Sequence, residues 1–520
     1  MPENLLTKQV VAVIDIGSSA IRMVVAELGP KLSIRYLENL QKPVPLGKDV
    51  FTTGRLSHGV IREAIDILKN YKDMADGYGV KHMRAIATNA VREASNRDNF
   101  VDQVNVRTGI DVEIIEGAEE NRLDLIAVEH ALEGSLDFDK RNCMIIEVGT
   151  GSTEIIYTTQ GKVALTRTLP MGPIRLPEQA TATRTEAGAL QRLIRRNTHI
   201  AAEEVQREYA LEAVDTYIAM GANMRFLAKL VDEKNTGKLA VLPAKALHDF
   251  IKTLPKMTPE EIVDVWGFSY SDAEVLYPSL LLYACFLDET KASEILVPMV
   301  SIRDGLLLEM AQLLSGPRRT DLTRQVINSA KALGRKYRYD EAHSVNVAAN
   351  SVKLFDELKE DHGLGPRERL LLEVAGILHD IGTFISPQGH HRHSSYLIDA
   401  ADIFGLRKAD KDIVSKVALY HRRQVPGPAD AGYMSLSRHD RAVVSKLAAI
   451  IRVAEALDKS HQQKIRDFTL ERDDDVITIR PIGEAVDLSM ERQALAKKDS
   501  LFTDVLGAIL VLKQEAAVRA

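Results

Sequence analysis

The chain carries two copies of one local design. Val13–Val25 and Ile145–Tyr157 each read as an apolar strand ending in an acid, a Gly/Ser turn, and a second apolar strand leading away. A hairpin of this form offers backbone N–H groups and hydroxyls to an anion. It also puts a carboxylate, here Asp15 or Glu147, where it can hold a divalent metal through water. Gly17, Gly149 and Gly151 let backbone approach a ligand closely, and Ser18, Ser152 and Thr153 add hydroxyls. Two such copies predict two phosphate-gripping hairpins facing each other across a cleft.

Around the first hairpin, the alternation and turn signals predict strands over 10–16, 21–27 and 32–38, a helix over 58–78, and a strand over 80–87. A helix over 90–105, a strand over 111–116 and a helix over 119–132 follow. The second hairpin restarts the series with strands over 144–147, 153–159 and 162–170, helices over 184–209 and a strand over 216–219. This is a mixed α/β layer structure, and its layout resembles the actin-like (ribonuclease H-like) ATPase superfold. Lobe I is expected over 1–132 and lobe II over 133–314. After a Gly/Pro-containing break at 314–321 the pattern turns helical over 321–463. A small α+β appendage is expected over 464–520, with strands over 465–471, 476–480 and 485–490 and a helix over 498–512.

Net charge bounds the ligand question. At −6 over 520 residues the chain has no global affinity for polyanions, so a phosphate-rich ligand must be held by local basic patches. Two cysteines make neither a disulfide framework nor a zinc cluster and fit a reducing compartment. No signal segment and no long apolar run is present, so the expected location is the cytoplasm, with no membrane span and no specific nucleic-acid partner.

Several ordered motifs resemble the Ppx/GppA family of exopolyphosphatases and guanosine pentaphosphatases. They are Asp15–Ser18 with Arg22, Ala87–Asn96 with Arg92, Ile115–Leu123, Gly149–Glu154, Leu169–Leu176 and Ser301–Leu307. Arg452–His461 extends the similarity toward the end of the chain. The resemblance implies Glu120 as the catalytic base for an attacking water; Arg92, also expected to be catalytic, offers a planar fork to phosphate oxygens. It implies phosphate contacts from Gly17, Ser18, Gly149, Gly151, Ser152, Thr153 and Glu154, and Mg²⁺ or Mn²⁺ at Asp15 and Glu147. It also implies a homodimer. Spacing alone does not choose between Glu119 and Glu120; one faces the cleft and the other is expected in solvent. Three positions depart from the family pattern: Glu147 replaces an aspartate, Gly17–Ala20 loses an amide and a hydroxyl, and Gly221–Asn223 replaces Gly-Gly-Thr.

The helical half concentrates histidine. His379-Asp380 with upstream His343 and downstream Asp458 resembles the signature of HD-type metal phosphohydrolases, which implies a second metal at His343, His379, Asp380 and Asp458. His390, His391, Arg392, His393, His421, Arg422 and Arg423 are expected to form a basic patch for a polyanion. The leading expectation is a phosphoanhydride hydrolase acting on inorganic polyphosphate, on the 5′ γ-phosphate of guanosine pentaphosphate, or on both. The alternatives are a non-catalytic nucleotide or polyphosphate sensor, and an HD-type metal phosphohydrolase with a regulatory actin-like half.

Overall fold

The computed structural model describes residues 8–176, 189–207, 209–232, 237–315, 320–422, 424–483 and 486–513. The chain divides into two compact units, Met1–Arg319 and Thr320–Ala520.

In the first unit, β1 (Gln9–Ile16) lies between the antiparallel β2 (Ala20–Gly29) and the parallel β4 (His82–Ala87). That central position explains its continuous apolar run, since both of its faces are covered. β3 (Ser33–Pro43) and β5 (Val112–Ile114) complete the order β3-β2-β1-β4-β5. The second hairpin forms β6 (Asn142–Val148) and β7 (Thr153–Thr159). With β8 (Lys162–Leu169), β9 (Thr216–Ala219), β10 (Leu239–Pro243) and β11 (Glu294–Pro298) they make a sheet of order β8-β7-β6-β9-β11-β10. Apart from the antiparallel edge strand β10, the second sheet repeats the order of the first.

The two hairpins differ in one cross-strand pair. In the first, Asp15 lies opposite Arg22. In the second, Glu147 lies opposite Glu154. Like charges directly opposite destabilise a ladder, so the second hairpin carries an electrostatic debt that the first does not.

The helix expected over 90–105 is two helices, Asn89–Glu93 and Arg97–Thr108. The Asn96 amide explains the break: its Oδ1 accepts from Leu56 N–H and its Nδ2 donates to the Leu56 carbonyl, each at 2.9 Å. The long helix Gly117–Leu132 follows β5 and runs behind the cleft. The expected start of the next helix falls on residues 184–188, outside the described residues; Ala189–Gln206 is helical.

The second unit is built of helices, chiefly Thr320–Lys336, Glu341–Glu357, Pro366–Leu378, His390–Ala400, Lys408–Tyr420 and Arg438–Leu457. Its sheet joins β12 (Phe468–Asp473), β13 (Val476–Pro481) and β14 (Ile509–Leu512). Phe468, Ile477, Ile479, Phe502 and Leu510 share one core with Leu447, Ile451 and Leu457 of the helices. The strand expected over 485–490 is not formed among the described residues there; Ser489–Leu495 is a helix, and its buried Glu491 accepts from Ser460 N–H at 3.1 Å. The helix expected over 498–512 ends at Leu506. Gly507 caps it at φ +73°, a left-handed conformation favourable to glycine, and the apolar run after it becomes β14, parallel to β13.

Candidate functional site

The ends of β1, β6 and β9 and the turns of both hairpins open onto one cleft in the first unit. Asp15, Gly17, Ser18 and Arg22 line it from the first hairpin; Glu147, Gly149, Gly151, Ser152 and Glu154 line it from the second. Glu120, in the first turn of helix Gly117–Leu132, joins them, as do Asn223, Arg225 and Arg303.

Glu119 and Glu120 are separated by the helix. Glu119 is not in solvent, as expected, but 1 % exposed; it accepts two bonds from Arg122, each at 2.7 Å. Arg122 also reaches Glu309 at 2.6 Å, and Arg84 pairs with Glu309, so the outward face of the helix is held by a buried ion network. Glu120 turns the other way, lines the cleft and pairs with Arg92.

The cleft concentrates negative charge. Asp15, Glu120, Asp124 and Glu154 are each less than a tenth exposed, and Glu147 is half-buried. Burial raises the Glu120 carboxyl above its ordinary range; the Arg92 guanidinium opposes this, while Asp15 and Glu147 add to it. Burial also raises Glu147, against the pull of Arg225. It holds Glu154 and Asp124 well above the usual range, with neighbouring carboxylates adding to the effect. The Asp124 carboxyl shares a hydrogen bond with Glu147, while its Oδ1 stays without a hydrogen-bond partner.

Tyr283, on helix Tyr270–Asp288, fixes the second side of the cleft. Its hydroxyl accepts from Val148 N–H at 2.9 Å and donates to the Met220 carbonyl at 2.5 Å, tying the ends of β6 and β9 together. Gly221 follows at φ +97°, and a Cβ there would stand 2.7 Å from the Tyr283 oxygen. Tyr283→Phe is expected to destabilise the unit by about 2 kcal/mol, because it strands a buried N–H and a buried carbonyl. Urea unfolding followed at Trp266, the chain's single tryptophan, measures this; an unchanged midpoint would contradict it.

Two residues expected at the ligand face elsewhere. The Thr153 hydroxyl is fully buried and donates to the Met171 carbonyl at 2.5 Å, because its place in β7 turns it from the cleft. Arg92 stands behind Glu120 and donates to the Ile115 carbonyl at 2.6 Å. The Ser152 hydroxyl bonds Glu154 across the turn. Gly151 is required by packing: a Cβ would fall 2.4 Å from Asn89 Oδ1 and from the Phe51 ring. Ala20 is buried and does not line the cleft, whereas Ser18 and Ser19 do, so the hydroxyl lost at position 20 is not lost from the cleft.

Sequence reasoning missed Asp124, Arg225 and Tyr283. Asp124 had a signal, since it stands one helical turn beyond Glu120 and between two leucines. Arg225 lies one turn into helix Ala222–Val231, and nothing in its local pattern marks it.

In the second unit, the described residues hold two three-donor sets whose ligand atoms lie close enough to share a metal ion: His343, His379 and Asp380; and Asp380, His390 and His421. Asp458 is in neither. It is fully buried and accepts from His343 Nδ1 at 2.9 Å, orienting that ring. His390, His391 and His421 are buried rather than displayed, so only Arg392, His393 and Arg422 of the expected basic patch have substantial exposure. Arg423 lies outside the described residues. No described helix is long and apolar enough to cross a membrane.

The chain is similar to guanosine-5'-triphosphate,3'-diphosphate pyrophosphatases of Photobacterium profundum (22 % identical over 442 residues; 85 % of this chain, 86 % of the relative) and Aliivibrio fischeri (23 % over 454 residues; 85 % and 86 %). Its fold resembles the Ppx/GppA family member of Aquifex aeolicus (TM-score 0.51, 24 % identity, 60 % of this chain and all of that one). It also resembles an exopolyphosphatase of Cytophaga hutchinsonii (TM-score 0.53, 21 % identity, 59 % of this chain and all of that one). The Ppx/GppA phosphatase family model matches residues 24–314 and its domain III model matches residues 326–505. The chain belongs to the Ppx/GppA phosphatase family.

Proposed function

We propose that the cleft hydrolyses a terminal phosphoanhydride, releasing phosphate from inorganic polyphosphate or from the 5′ end of guanosine pentaphosphate. The observation that carries this reading is the placement of Glu120: a buried carboxylate at the cleft, held by Arg92 and facing two glycine-rich turns. Family membership and the relatives' pyrophosphatase activity support the same chemistry.

Arg22, Arg225 and Arg303 border the cleft and suit phosphate oxygens. The turns at Gly17–Ser18 and Gly149–Ser152 offer N–H groups and hydroxyls to the same ligand. Glu120 takes a proton from a water as the water oxygen attacks the terminal phosphorus; the bridging P–O bond breaks and the remaining chain leaves with the bridging oxygen. Raising the Glu120 carboxyl above its ordinary range by burial makes its carboxylate a stronger base.

A divalent cation fits the residues present. The like-charged pair Glu147–Glu154 and the crowded carboxylates call for a counter-charge. Asp15 and Glu147 would hold Mg²⁺, which when bound neutralises phosphate oxygens. We further read the first unit as two actin-like lobes over 1–132 and 133–314, and 321–463 as an HD-like domain with the appendage 464–520. We expect a cytoplasmic homodimer; the two cysteines, both unpaired and buried, suit a reducing compartment.

Phosphate release by the purified chain, with and without Mg²⁺, tests the function. Release from either substrate is expected only with the metal. No release from either, at any divalent ion, would leave the sensor reading.

A further inference from the structure

Arg175 does not line the cleft, yet it joins the two sheets of the first unit beside it. It lies on the loop after β8, and its Nη2 donates to both carboxylate oxygens of Glu93, each at 2.7 Å. Its guanidinium carbon stands 4.3 Å from the centre of the Phe51 ring, within cation–π range. Asn89 completes the clasp: its Nδ2 donates to Glu93 Oε1 at 3.1 Å, and its Oδ1 accepts from Arg175 at 3.4 Å. The Arg175 side chain is only 16 % exposed, so water screens this pair less than an ordinary surface pair.

On its own side, the Arg175 loop is bound to the second glycine-rich turn by main chain. Ile174 N–H donates to the Thr150 carbonyl at 3.0 Å, and a Cβ at Gly172 would fall 2.4 Å from that same oxygen. Replacing the Arg175 side chain leaves these contacts in place, so the turn keeps its brace.

The other side of the clasp is less secure. Glu93 ends helix Asn89–Glu93, which has five residues and no side-chain cap at Thr88. A helix this short has no stability of its own, and its position is set by what its side chains hold. Arg92 of this helix pairs with Glu120 and donates to the Ile115 carbonyl. A continuous path therefore runs from Arg175 through Glu93 and the short helix to Arg92 and Glu120.

We propose that Arg175 is a positioning residue for hydrolysis in the cleft: by gripping Glu93 it fixes helix Asn89–Glu93, so that Arg92 holds Glu120 on the attacking water. This role rests on Glu120 acting as the base. Arg175 itself touches neither Glu120 nor the cleft, and its effect belongs to the chemical step rather than to substrate binding.

The test is steady-state phosphate release by the full chain with Mg²⁺, from polyphosphate and from guanosine pentaphosphate. Arg175→Met and Glu93→Gln are each expected to lower kcat about 10–100-fold, the cost of a small misplacement of a catalytic group, with KM nearly unchanged. Combined, they should cost no more than either alone, because each breaks the same clasp. In an Arg92→Lys background Arg175→Met should cost almost nothing further, since its route to Glu120 runs through Arg92. A merely structural role would add to Arg92→Lys instead. An unchanged kcat in Arg175→Met, a loss carried by KM alone, or a loss that adds in full to that of Arg92→Lys overturns the positioning role. Release lost in Glu120→Gln but untouched in Arg175→Met sinks the clasp and leaves the base standing; release that survives Glu120→Gln sinks both.

Discussion

Glu120→Gln is expected to lower kcat for phosphate release by about 10²–10⁴-fold, the range over which a positioned general base acts, with KM changed far less. The amide fills the same space and can still accept from Arg92, but it cannot take the proton of the attacking water. The turns and Arg22, Arg225 and Arg303, which line the cleft and are proposed to hold the substrate oxygens, are not touched by the substitution. A fall in kcat with KM held separates loss of the base from loss of binding. Equal losses through KM alone would assign Glu120 to binding instead.

The second large effect is on stability. Glu120, Asp124, Glu147 and Glu154 all have carboxyls raised by burial in the folded chain. Below the ordinary carboxyl range, near pH 4, both folded and unfolded chains keep these protons and the groups are neutral in their effect. As the pH rises above that range the unfolded chain releases protons that the folded chain retains, so stability falls until the folded carboxyls also ionise. Each unit of displacement is worth about 1.4 kcal/mol. In chelator, the Trp266-reported melting temperature is therefore expected to drop between about pH 5 and pH 8, and Mg²⁺ should restore much of the loss. Asp124→Asn, which removes one of the buried acids, should flatten the slope. A melting temperature in chelator that stays level across that window, or one indifferent to Mg²⁺, would contradict the picture of an uncompensated acid cluster.

Much of this was written in the chain. Apolar runs ending in Asp15 and Glu147 placed both strands that carry the cleft, and helix 58–78 lay where its periodicity put it, ending at Gly77. Cross-strand chemistry was legible too: a two-stranded register places Glu147 against Glu154 and Asp15 against Arg22. What stayed hidden depended on partners distant in sequence. Thr153 points away because Met171 supplies a carbonyl. Glu119 is buried because Arg122 and Arg84 approach it from within the fold. The histidines after residue 389 read as a basic patch, since nothing local shows that His390 and His421 turn toward Asp380. Glu147 is longer than aspartate, yet Asp124 meets it through a hydrogen bond, a partner that only the helix packing reveals.

Phosphate release from polyphosphate and guanosine pentaphosphate, compared side by side in the parent chain, Glu120→Gln and Asp380→Asn, tests the cleft assignment most directly. Release from the parent that is lost in Glu120→Gln is the predicted result. Release that survives in Glu120→Gln and vanishes in Asp380→Asn would contradict it and move the chemistry to the helical unit.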